Sequence, residues 1–86
     1  MNPIIVHFVN QKLNSISPNE LITLAAQYQL PISQKEAVQI VNILRRQTID
    51  IKNLGQRKQI IATIAKEVSP EKANYIQYLI QTYIDR

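Results

Sequence analysis

The sequence predicts an all-α chain, a compact array of about five short helices in a single domain spanning residues 1–86. Three observations carry this. Apolar residues recur at i, i+3, i+4 and i+7, the spacing that lines up on one face of a helix. Helix-starting patterns recur along the chain. Only one glycine is present, too few for a turn-rich all-β fold.

The first helix is expected near residues 3–14, with Asn2-Pro3 at its start. Pro suits the first helical position because its missing N–H would be unpaired there anyway. Ile4, Ile5, Val6, Phe8, Val9 and Leu13 cover about 200° of its wheel. So broad an apolar face calls for two neighbours or a partner chain. A strand is the competing reading of this β-branched run, but no second convincing strand exists to pair with it.

Ser17-Pro18-Asn19-Glu20 starts the second helix, near 18–29. The Ser hydroxyl can accept from an unpaired backbone N–H while the Glu reaches back to the Ser N–H. Leu21, Leu24, Ala25 and Tyr28 form its stripe. Ser33-Gln34-Lys35-Glu36 repeats the pattern for the third helix, near 34–46, with Ala37, Ile40, Val41 and Leu44 inward. The short connection between them makes helices two and three a helical hairpin. Asp50 is the expected cap of a fourth helix near 51–67, with Ile49 and Leu54 spaced as a hydrophobic staple. Ile60, Ile61, Ile64, Ala65 and Val68 are its stripe. Ser69-Pro70-Glu71 begins the fifth, near 70–85, with Ala73, Ile76, Ile80, Tyr83 and Ile84 inward.

Composition narrows the function classes. Hydrophobic residues make up 45% and charged residues 19%, a globular balance. The absence of cysteine excludes disulfides and thiolate metal sites and fits a reducing cytoplasm. The apolar run at residues 4–9 is far too short to span a bilayer, and its flanks do not read as a signal peptide. No membrane role is expected, since no helix joins a Lys/Arg-rich face to a bulky aromatic one.

Catalysis is not expected, and neither is a cofactor or metal. The only histidine, His7, falls on the polar side of the first helix with no paired carboxylate or nucleophile. Ser17, Ser33 and Ser69 are taken up as caps. The six acids are scattered, and no phosphate-binding loop or metal-ligand spacing occurs.

The charge is concentrated. Residues 45–58 hold five bases against one acid, and the remaining bases and acids cancel, so the net +4 lies in this one stretch. Arg57 falls on the apolar face of the fourth helix, one turn before Ile60 and Ile61. An Arg there needs a carboxylate or helix-end carbonyls, so Arg57 reads as a structural clamp. Arg45 and Arg46 lie in the last turn of the third helix, where cations suit the negative end of the dipole. Lys52 and Lys58 are left as surface charge.

Two working surfaces follow. The leading one is a protein interface, with an unknown partner or a second copy, built from Ile5 and Val9 on the first helix and Tyr75 and Tyr78 on the fifth. Exposed tyrosine is enriched at interfaces. The alternative is nucleic acid. Lys35, Gln39, Asn42 and Arg46 line the outer face of the third helix, and helices two and three could act as a helix-turn-helix. Arg45, Lys52 and Lys58 would then meet phosphates. Against it, every helix in water has a polar outer face, and the turn lacks the Gly common in such units.

The run SPNELITLAAQYQLPISQKEAVQIVNILRRQTIDI, followed by Arg57 and Pro70-Glu71, resembles the YqfT-like family of small proteins from Bacillus and its relatives. The resemblance covers nearly the whole chain. The family favours Gly where this chain has Gln29, and Gly there would suit a left-handed helix cap. The resemblance implies a small helical cytosolic protein and no particular activity.

Overall fold

Serine and proline set where the first, second, third and fifth helices begin, and asparagine where the fourth does. In the computed structural model, which describes residues 3–83, five helices follow one another: α1 (Pro3–Ser15), α2 (Pro18–Gln27), α3 (Gln34–Leu44), α4 (Leu54–Glu67) and α5 (Pro70–Tyr83). The expected contributions of Asn2 and Ile84 lie outside the described residues. Both capping boxes form. The Ser17 hydroxyl accepts from the Glu20 N–H at 3.2 Å and Glu20 accepts from the Ser17 N–H at 3.1 Å. Ser33 and Glu36 do the same at 3.1 and 2.9 Å. Ser69 caps α5, accepting from the Lys72 N–H at 3.2 Å.

The end of α2 has the left-handed cap. Gln29 sits at φ 61°, the Leu30 N–H donates to the Ala25 carbonyl at 2.9 Å, and the Gln29 N–H donates to that of Ala26 at 3.0 Å. This is a Schellman closure, made here without glycine. Its stabilising contact is apolar: Ala25 and Leu30 are both buried in the core. That burial offsets the roughly 1–2 kcal/mol that a left-handed backbone costs an L-residue.

Two helices stop short of the expected ends, α2 at Gln27 and α3 at Leu44. The larger departure is at α4. Its cap is Asn53, whose side chain accepts from the Gln56 N–H at 3.0 Å, not Asp50. Asp50 instead builds the preceding turn. Its carboxylate accepts from the Lys52 N–H at 3.1 Å, and its carbonyl accepts from the Asn53 N–H at 2.9 Å. No Ile49–Leu54 staple forms, because Ile49 is buried while Leu54 is 67% exposed.

The core is assembled by α2 to α5. Ala25, Leu30, Ile32, Ala37, Ile40 and Val41 meet Ile43, Leu44, Ile49, Ile60, Ile64 and Ala73. The α2–α3 hairpin and the α4–α5 pair are the two main helix packings, and α3 joins them through α4. The α1 helix is attached differently. It has only marginal contact with other helices and reaches the body through the α3–α4 connection. The Asn14 amide accepts from the Ile49 N–H at 2.7 Å and donates to the Ile49 carbonyl at 3.1 Å. One turn earlier, Asn10 accepts from the Ile51 N–H at 2.7 Å. From the other side, Gln56 of α4 accepts from the Asp50 N–H and donates to the Thr48 carbonyl, both at 2.8 Å. The backbone of residues 48–51 is thus held by side-chain amides on both edges. This supplies the partners that a non-helical segment beside the core requires.

Candidate functional site

The exposed half of α1 gathers three exposed large hydrophobic side chains. Ile4 is 64% exposed, Ile5 49% and Phe8 63%. The three share one face because Phe8 stands four residues after Ile4 and three after Ile5. No formally charged residue occurs between Pro3 and Gln11. Val9 is half-buried beside them, Val6 turns inward, and the His7 ring lies 6.0 Å from that of Phe8. Among the described residues, the broad apolar face read from the sequence is buried at Val6, half-buried at Val9 and Leu13, and exposed at Ile4, Ile5 and Phe8.

The two tyrosines of α5 have different tasks. Tyr75 is half-buried, and its hydroxyl donates to the Tyr28 carbonyl at 2.8 Å, tying α5 to the end of α2. Tyr78 is 59% exposed, its ring 6.1 Å from that of Tyr75. Ile5 and Tyr78 are thus exposed, Val9 is half-buried, and Tyr75 is packed against the core.

The basic stretch is partly drawn into the structure. Arg45 donates to the Ile16 carbonyl at 3.1 Å and so fixes the α1–α2 corner to the end of α3. Arg46 lies past the end of α3. Its guanidinium grips Glu67 of α4 through two hydrogen bonds, 3.0 and 2.8 Å long. The proposed reading face of Lys35, Gln39, Asn42 and Arg46 is therefore not one continuous helix face. Lys35 and Asn42 are exposed, Gln39 is half-buried, and Arg46 is held by an acid. Arg57 is half-buried in a shallow depression of about 200 Å³ between α4 and α5, lined by Leu54, Lys58, Ile61, Gln77 and Ile80 among others. Lys52 and Lys58 are exposed. The sequence reading gave the clamp to Arg57 and missed the clamps at Arg45 and Arg46. Their partners lie 29 and 21 residues away, where no local pattern points.

Ion pairs brace the helices. Lys12 meets Glu20 at 2.6 Å across the α1–α2 corner, Lys72 meets Glu36 at 2.6 Å between α5 and α3, and Arg46 meets Glu67 at 2.8 Å. The Lys12 ammonium, with the N–H and hydroxyl of Ser17, lowers Glu20 to about 2 from an ordinary 4.5. Lys72, with the Ser33 N–H, also pulls Glu36 below its ordinary value, and Arg46 does so for Glu67. A carboxylate whose pKa is depressed by folding stabilises the fold above its unfolded pKa and loses that contribution as pH falls through the folded one. We expect the melting temperature to stay flat from pH 7 to about 5 and to fall between about 4.5 and 2, the window set by Glu20. A melting temperature that climbed on acidification through this window would contradict the pairs. High salt should shrink the effect, since the Lys12 and Arg46 pairs are exposed and thus screened.

Among the described residues, no group of three or more His, Cys, Asp or Glu could hold a metal ion. No described helix is long and apolar enough to cross a membrane.

The model of the family described as protein of unknown function (DUF2624) matches residues 1–84. The chain belongs to this family. A DUF2624-like relative is the uncharacterized protein YqfT of Bacillus subtilis (strain 168), 23% identical over 73 residues, which are 85% of this chain and 87% of that protein. No solved structure matches the chain. DUF2624 membership thus agrees with the resemblance read from the sequence, and it brings no activity with it.

Proposed function

We propose that this chain is a non-enzymatic interaction module of the cytoplasm, working through the outer face of α1 with Tyr78 as a second contact. The observation that carries the reading is the exposure of Ile5 and Phe8, together with Ile4, on a stretch without formal charge. Binding would bury these side chains against an apolar surface of another chain, releasing ordered water without covalent chemistry. The exposed apolar patch is on the order of a few hundred Å². A standard interface uses about 800 Å² per partner, so the contact is weak and transient.

A second copy of the chain is the simplest occupant to test. Sedimentation equilibrium over a wide concentration range should show the average mass of the wild type rising, and Phe8→Ser should remain monomeric throughout. A wild type that is strictly monomeric at the highest concentration, and indistinguishable from Phe8→Ser, would remove self-association. The nucleic-acid reading ranks second, because Arg45 and Arg46 are spent on Ile16 and Glu67.

A further inference from the structure

The attachment of α1 differs in kind from that of the other helices, and the difference has a dynamic consequence. Among its own described residues only Val6 is fully buried, and Val6 lies outside the main core cluster. Leu13 packs against the core while remaining half-exposed. Further contacts are polar: Asn14 on both backbone groups of Ile49, Asn10 on the Ile51 N–H, a long 3.4 Å contact from Asn10 to Asp50, and the exposed Lys12–Glu20 ion pair at 2.6 Å across the hinge corner. By contrast, α3 alone buries Ala37, Ile40, Val41, Ile43 and Leu44. Segments with few buried apolar contacts open at lower free energy than the core.

We infer that α1 is a strap across the 48–51 segment that opens as one unit while α2 to α5 stay folded. Its hinge is the corner at Ile16 and Ser17. That corner is anchored from the body side, since Ile16 is buried and its carbonyl is held by Arg45. Ser17 belongs to α2 through its capping box. Opening therefore breaks the two asparagine anchors, frees Val6 and Leu13, gives up the solvent-screened Lys12–Glu20 pair, and leaves the hinge in place. It uncovers one edge of the segment, the N–H groups of Ile49 and Ile51 and the carbonyl of Ile49. The other edge, at Thr48 and Asp50, remains on Gln56. A strap of this kind stands whether or not anything binds the outer face of α1.

Native-state hydrogen exchange on the full chain tests it, with amides read individually by NMR. The amides of α1, Ile49 and Ile51 should exchange together, and faster than those of Ile40, Val41 and Ile64. A mild core variant separates the two units. Ile64→Val weakens the body whether the strap is open or closed, so it should speed the core amides roughly two- to tenfold and leave the strap group unchanged. Asn14→Ala removes two anchoring bonds and should speed the strap group by about tenfold or more. The inference fails if Ile64→Val accelerates the strap group by the same factor as the core. It also fails if Asn14→Ala leaves the strap group where it was.

Discussion

Ile64→Ala should lower the melting temperature by about 8 °C or more. Ile64 lies in the last turn of α4 with 2% of its surface exposed, within the cluster that joins α2 to α5. Truncation removes buried carbons and leaves a cavity that tight neighbours fill only in part, a loss of roughly 2–5 kcal/mol. Alanine is the better helix former by a few tenths of a kcal/mol, which is too small to change the sign. A domain of this length shifts about 4–8 °C per kcal/mol, so even the low end is easily seen by circular dichroism at the helix band. A variant melting within 2 °C of wild type, on the same scale of about 4–8 °C per kcal/mol, would mean that Ile64 is not fixed in a close-packed interior.

Ala37→Leu is the complementary experiment, because it adds volume where none is free. Ala37 has no exposed surface and lies in the first turn of α3, next to Glu36 of the capping box. Leucine is nearly as good a helix former, so any loss reports packing and not backbone preference. We expect a cost of about 1–3 kcal/mol or more. Part of it should come from Glu36, whose carboxylate must stay near both the Ser33 N–H and Lys72. The same change at Ala62, exposed on the outer side of α4, should be close to neutral. Equal melting temperatures for the two leucine variants would refute the assignment of Ala37 to the core.

These two residues also show what was legible beforehand. Ile64 and Ala37 both fell on apolar stripes, since helical periodicity is a local property and the five helices follow from it. Ser17 and Ser33 could be read for the same reason, each cap acting within four residues. The α4 cap is read at Asp50 from the sequence and stands at Asn53 in the structure, because Asp50 is taken up by the turn it makes with Lys52 and Asn53. The polar contacts that position the surfaces were out of reach. Asn14 meets Ile49 across 35 residues and Tyr75 meets Tyr28 across 47. Nothing in the spacing of one chain marks such partners. The same limit explains the arginines. The acid that engages Arg46 belongs to another helix, 21 residues away.

The choice of asparagine for the α1 anchors carries a chemical consequence. Asn14 must accept from one backbone group of Ile49 and donate to the other, which only a neutral carboxamide of this length does. Spontaneous hydrolysis to the acid, an ageing reaction to which asparagine is prone, would delete the donor at Asn14. At Asn10 it would set a second negative charge beside Asp50. A preparation of this protein therefore has a built-in clock, and old samples should loosen first at their amino-terminal end.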